Sequence, residues 1–151
     1  MAKAKGMALE GLINNTNLYY RKNNKALIVK KSTPLKITSK GVILQTSTVD
    51  YSGVYKKGSD TIAIAFDAKE TKNKTSFPLS NIEEHQILFL DMWARLGGDA
   101  FFLIYFTTHK KAFKVSITFI LDFVAAAKRK SIPYEDFRDE WLVDLDNYLG
   151  L

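Results

Sequence analysis

Residues 61–69, TIAIAFDAK, hold the side chains best suited to chemistry. The segment reads as a buried β-strand ending in an aspartate and a lysine two positions apart. Side chains alternate faces along a strand, so Asp67 and Lys69 point the same way, about 6 to 7 Å apart. Asp50 closes an earlier strand-like stretch, LQTSTVD, and the turn-like SGVYKKGSD leads on to the strand of Asp67. If the two strands are neighbours, the carboxylates converge at one end of a sheet and repel unless a cation lies between them. Hard oxygen ligands with positions left for water suit Mg2+, with Mn2+ as a possible substitute. Lys69 then stands where a point charge orients a nucleophile and stabilises negative charge on a phosphate. The plainer alternative is a structural Asp67–Lys69 ion pair at a strand end.

Charge points to a polyanion. The 151 residues carry a net +6, but Tyr134 to Leu151 holds six acids and one arginine, which leaves +11 on the first 133. Lys30, Lys31, Lys36, Lys40, Lys56, Lys57, Lys72 and Lys74 fall in expected loops or strand ends and are the candidate polyanion-binding residues, DNA-binding residues if the polyanion is DNA; a solvated lysine-rich surface is the plain alternative. The absence of cysteine excludes cysteine nucleophiles, cysteine zinc sites and disulfides. With no signal peptide and no apolar run of about eighteen residues, a soluble cytoplasmic protein without a membrane partner is expected. His85 and His109 lack metal-ligand spacing. Tyr51 and Tyr55, beside Lys56 and Lys57, either stack on exposed bases or pack under a turn, the commoner outcome.

These residues need elements to position them. Apolar spacing predicts a first helix from Gly6 to about Tyr20, with Glu10 at the border of its buried face as a further candidate carboxylate. ALIVKK reads as a strand broken at Thr33-Pro34, and residues 34–48 as a short lysine-rich β-hairpin. Asn81 and Glu84 suggest a capping box opening a helix that runs to about Leu96. AFFLIYFT has the continuous apolarity of a central strand covered on both faces, and AFKVSI alternates as its neighbour. A helix over 118–130 follows, and Phe137, Trp141, Leu142, Leu145, Tyr148 and Leu149 predict an acidic C-terminal helix over about 134–149. The order implies an α/β fold, a mixed sheet with helices on its faces, in one domain spanning 1–151.

Asp50, Asp67 and Lys69 with a basic loop behind them form the layout of the PD-(D/E)xK nucleases. KGMALEGLINNTNLYY, STPLKI, TSTVDYSGVY and above all FDAKETKNKTSFPLSNIEEHQ make the sequence resemble one family among them, the RecU Holliday junction resolvases of Gram-positive bacteria and their phages. Similarity covers most of the first hundred residues and continues more weakly through KRKSI. The resemblance implies a restriction-endonuclease-like fold and places Asp50 and Asp67 as metal-binding acids and Lys69 as the transition-state lysine. It implies Thr48 and Gln86 as further positions of the magnesium site, Gln86 through a free carbonyl oxygen, and the 34–48 hairpin as a shortened form of a stalk that enters the junction. Asp67 departs from the family's usual glutamate by one methylene.

The expected activity is Mg2+-dependent cleavage of four-way DNA junctions by paired nicks, with catalytic candidates Asp50, Asp67, Lys69 and Glu10. Two symmetric cuts imply a homodimer. Recombinase or branch-migration proteins are candidate partners. Less selective structure-specific nicking and catalytically weak junction binding are the alternatives.

Overall fold

The computed structural model describes residues 5–31, 35–44, 49–126 and 129–151. Helix α1 (Lys5–Lys22) buries Leu9, Ile13, Thr16 and Tyr20 at helical spacing and turns at Asn24, φ 55°, into strand β1 (Ala26–Lys30). A hairpin of β2 (Leu35–Thr38) and β3 (Gly41–Leu44) follows, its strands pairing only with each other. Then come β4 (Tyr51–Lys57), β5 (Asp60–Thr71), the short β6 (Ser76–Pro78), helix α2 (Glu84–Arg95), β7 (Asp99–Phe106), β8 (Lys111–Ser116) and helix α3 (Ile117–Ala126). Two short strands, β9 (Ser131–Pro133) and β10 (Leu142–Val143), complete the order.

Six strands form one sheet in the order β1-β4-β5-β7-β8-β10. Only β5 and β7 are parallel, and α2 lies on the crossover between them. The expected mixed α/β sheet flanked by helices is therefore present. As expected, β7 is the fully covered strand: Ala100, Phe102, Ile104 and Phe106 enter the core under α2 and α3, while Phe101 and Leu103 enter the core under α1. On the α1 side Tyr51, Phe66 and Phe101 stack across three strands, with ring centroids 4.8 Å apart at each step.

Four expectations change. SGVYKKGSD is mostly strand, with a turn only at its end, because Tyr51 and Tyr55 bury on the α1 side while Ser52 and Val54 face the other way. Its Gly53 is required by packing, since a Cβ there would meet the Leu27 carbonyl oxygen at 1.9 Å. The helix expected to start near Asn81 begins at Glu84, because Leu79–Asn81 forms its own 3-10 turn and Ile82 is extended and buried; the capping box is Glu83 with Gln86. Helix α3 (Ile117–Ala126) does not include Arg129 and Lys130 of the expected span, and residues 127–128 lie outside the described residues.

The C-terminal helix is also absent. Residues 134–147 form three 3-10 turns with β10 between the second and third. One helix cannot satisfy this tail, because Phe137 and Trp141 pack in the core under α3 whereas Leu145, Tyr148 and Leu149 pack in the core under α1. The chain reaches both by pairing with β8 and rounding the sheet edge. Beyond the edge, Thr16 Oγ1 donates to the Leu145 carbonyl at 2.6 Å, Tyr20 donates to Asn147 Oδ1 at 2.6 Å, and Tyr148 donates to Asn17 Oδ1.

Candidate active site

The site forms where β5 loses a neighbour. β4 pairs with β5 from Lys57 opposite Asp60 to Tyr51 opposite Phe66, so the next residues in register are Asp50 and Asp67. Asp50 thus precedes a strand rather than ending one, and the expected convergence arises by a direct cross-strand route. The Asp50 backbone N–H donates to Asp67 Oδ1 at 2.9 Å, and Lys31 N–H donates to the Asp50 carbonyl at 2.6 Å, extending the ladder past the strand's formal start. Asp67 is 1% exposed. Lys69 Nζ lies 3.1 Å from Asp67 Oδ2, the same-face relation its i+2 spacing requires. β5 itself continues two residues past Lys69, to Thr71.

Electrostatics single out Asp50. Burial first, and the Asp67 charge second, push its carboxyl above the ordinary aspartate range, with Lys30 and Lys69 opposing and Glu10 adding a further upward push. Glu10 is exposed on α1, where it forms an ion pair with Lys30. It therefore acts at the rim of the pair. Gln86 is buried on α2, but its Oε1 accepts the Glu83 backbone N–H at 3.1 Å, so the carbonyl oxygen expected to be free already has a partner. Thr48 lies outside the described residues.

The lysines separate into two groups. Lys30 and Lys31 end β1 beside Asp50, Lys72 and Lys74 follow β5, and Lys36 and Lys40 belong to the hairpin inserted between Lys31 and Val49, all connected to the site end of the sheet. Lys56 and Lys57 close β4 at the opposite end, about 20 Å from Asp50 at 3.3 Å per residue. Tyr51 and Tyr55 are buried, so they pack and do not stack on bases.

A family model described as Recombination protein U matches residues 4–148. The chain belongs to that family. The Holliday junction resolvase RecU of Oceanobacillus iheyensis is 41% identical, over 93% of this chain and 77% of its own length. That of Geobacillus sp. is 42% identical, over 85% of this chain and 70% of its own. A solved structure of Archaeoglobus fulgidus Hjc, a Holliday junction resolvase from an archaeal hyperthermophile, covers 82% of this chain and 85% of that one at 10% identity, with a TM-score of 0.48.

The donor set fits a hard divalent cation. Two carboxylates sit in adjacent register, Asp67 buried and Asp50 pushed upward first by burial and then by the Asp67 charge, with Lys69 in contact with Asp67. Among the described residues no three His, Cys, Asp or Glu side chains cluster as a metal cage.

One part of the site escaped the sequence. Thr107 Oγ1 donates to the Thr71 carbonyl at 3.2 Å, Thr108 Oγ1 to the Lys72 carbonyl at 2.8 Å, and His109 Nε2 lies 2.7 Å from the Lys74 carbonyl while its ring stacks on Tyr134. The turn after β7 thus holds the backbone of the basic loop after β5. Nothing in THKK announces this role; it follows only from the parallel pairing that brings Thr71 level with Phe106.

Proposed function

We propose that this chain is a divalent-metal-dependent endonuclease that resolves four-way DNA junctions as a homodimer, through one nuclease domain spanning residues 1–151. The observation that carries the reading is the pair Asp50 and Asp67 in adjacent register with Lys69 on the face of Asp67, at the end of the sheet from which the β2–β3 hairpin arises. The relatives' name, Holliday junction resolvase, supports the substrate.

Asp50 and Asp67 would hold Mg2+, or Mn2+ in its place, with Thr48 and Gln86 as outer candidates. When bound, the cation supplies Lewis acidity toward a phosphodiester. The chain's own residues do the rest. Asp67, fixed by the Asp50 N–H and by Lys69, presents its carboxylate without a rotamer search. Lys69 places a positive charge beside the phosphate oxygens, where negative charge grows as water attacks phosphorus and the P–O bond to the leaving strand breaks. Lys30, Lys31, Lys72 and Lys74 hold flanking phosphates, and the clamped loop keeps the last two in place. Glu10 tunes Lys30 and Asp50 from the rim.

The hairpin supplies selectivity. Its turn carries Lys40, and Ile37 and Val42 are exposed directly opposite each other, an apolar pair suited to the open centre of a junction. A labelled mobile junction incubated with and without Mg2+ tests the reading: paired symmetric nicks that require metal are expected, and full activity of Asp67→Asn in Mg2+ contradicts the assigned site. Equal cleavage of junction and linear duplex would favour the nicking alternative.

A further inference from the structure

Two short segments far apart in sequence repeat one pattern. Thr75-Ser76-Phe77-Pro78-Leu79 and Lys130-Ser131-Ile132-Pro133-Tyr134 each place a serine before a buried apolar residue and a proline, and in each the proline opens a 3-10 turn. As β6 and β9 they pair antiparallel, with Phe77 opposite Ile132. The backbone bonds that close the pair repeat as well: Leu79 N–H donates to the Lys130 carbonyl at 2.9 Å, and Tyr134 N–H to the Thr75 carbonyl at 2.8 Å. Phe77 and Ile132 enter the core under α2 and α3, so Ser76 and Ser131 both point out of the other face of this ribbon.

A groove of about 360 Å3 lies here, lined by Thr75, Ser76, Ser131 and Pro133 and by Arg129 and Lys130. Among the described residues no hydrogen bond engages the three hydroxyls, and neither cation pairs with an acid. Lys30, Lys69 and Lys114, by contrast, each hold a carboxylate. Glu135 and Asp136, the nearest acids in sequence, follow on the next 3-10 turn and do not line the groove. Three hydroxyl donors and two positive charges around one concavity form a setting for a phosphate.

We propose that the groove seats a backbone phosphate of the DNA strand on which Asp50 and Asp67 act, at a nucleotide other than the one being cut. Ser76 and Ser131 stand diagonally across the ribbon, about 7 to 8 Å apart. Two hydrogen bonds of about 2.8 Å reach that far with one phosphate between them, while Arg129 and Lys130 supply the charge. The groove also belongs to the working face of the sheet. Ala65 packs in the core under α2 and α3, and Asp67, Lys69 and Thr71 follow it at two-residue steps, so the acid, the lysine and the ribbon share one side. His109 holds the Lys74 carbonyl and stacks on Tyr134, which holds that of Thr75, so the path from β5 to the groove is fixed. The eight residues from Asp67 to Thr75 span at most about 28 Å. The seated phosphate therefore falls within about ten nucleotides of the scissile one, at about 3.4 Å each, and sets the strand's register over the acids.

The inference rests on the reading of the chain as a DNA-cutting enzyme, and binding measured in chelator separates the two. Junction DNA carrying one neutral methylphosphonate at a time is scanned along a strand through the junction centre. The natural chain is expected to lose about tenfold in affinity at a position away from the scissile phosphate. Arg129→Ala with Lys130→Ala is expected to bind unmodified junction about tenfold more weakly, with a slope against log salt shallower by about 0.9, and to become indifferent to the methylphosphonate at that position alone. Ser131→Ala is expected to weaken binding about fivefold at an unchanged salt slope, because it removes a neutral donor. Thermal melts check that both variants fold. A loss in the double variant spread evenly over every position means a solvated basic surface and overturns the proposal. So does a natural chain that binds no junction DNA, or a groove that answers only to inorganic phosphate, read as thermal stabilisation over chloride at matched ionic strength without any methylphosphonate response. Failure to cleave while the positional pattern holds leaves the seat in place and contradicts the nuclease reading.

Discussion

Two partly or fully buried aspartate–lysine pairs among the described residues, Asp67–Lys69 and Asp99–Lys114, differ in one respect. Asp99, at the start of β7, accepts from Lys114 Nζ and from the Tyr55 hydroxyl, both at 2.9 Å on the same oxygen, and Lys114 also lies 4.7 Å from the centre of the Phe101 ring. One acid there meets two donors and the charge closes on itself. At the other end of the sheet Asp67 has Lys69 and a backbone N–H, but the register sets a second carboxylate, Asp50, alongside, so negative charge exceeds positive. An aspartate and a lysine near each other describe both places. Only the second acid distinguishes a site that attracts a cation from a pair that stabilises a fold.

The sharpest test exchanges the two pairs. Asp67→Asn is expected to lower junction cleavage by about 1000-fold, the upper range for a lost electrostatic partner, with junction binding retained in a gel-shift assay. Asp99→Asn is expected to leave cleavage within a few-fold and to lower unfolding free energy by about 1–2 kcal/mol in denaturant titration, because Lys114 and Tyr55 lose a charged acceptor. If Asp99→Asn abolishes cleavage while Asp67→Asn merely destabilises, the comparison is reversed.

A smaller effect separates the two lysine groups. Replacing Lys36 and Lys40 together by alanine is expected to shallow the salt dependence of junction binding by about 1.8 logarithmic units, at 0.9 per lost phosphate contact, while Lys57→Ala leaves the slope unchanged. His109→Ala removes the hold on the Lys74 carbonyl. It is expected to weaken junction binding about fivefold, one hydrogen bond's worth, without altering metal affinity measured calorimetrically.

The smallest effect concerns Asp50. Its folded pKa is raised by burial and by Asp67, so the metal-free folded state holds that proton more tightly than the unfolded state does. Its contribution to stability is then most favourable below the ordinary carboxylate value and declines as pH rises through the raised folded value. Asp50→Asn is expected to flatten this dependence and to stabilise the metal-free protein at neutral pH by less than about 1 kcal/mol, since solvent screens a half-exposed group. Thermal melts from pH 3 to 7 in chelator read the sign. A lower melting temperature for Asp50→Asn at neutral pH would mean that the acid is already satisfied.

Local pattern made much of this visible. The apolar runs of β7 and β5 and a hairpin within the 34–48 segment, described as Leu35–Thr38 with Gly41–Leu44, follow from local pattern, and the spacing of Asp67 and Lys69 gave their common face. What stayed hidden depends on partners distant in sequence. β4 looked like a turn because an outer strand carries Gly53 and two lysines, and its strand character comes from β1 and β5. Lys56 and Lys57 joined the DNA-binding set because sequence shows charge but not which end of a strand is which. The tail's apolar spacing fits a helix equally well until one knows that its two halves serve opposite faces of the sheet.

That crossing of the sheet edge has a kinetic consequence. Tyr148 packs against Phe66, the residue immediately before Asp67, and it, Leu145 and Asn147 bond to α1 across 127 to 131 positions. Closing so long a loop is entropically costly and comes late in folding. During synthesis the aromatic backing of the acidic pair therefore stays unfinished until residues near 148 have emerged. A nascent chain carries the β2–β3 hairpin long before it carries a consolidated setting for Asp50 and Asp67.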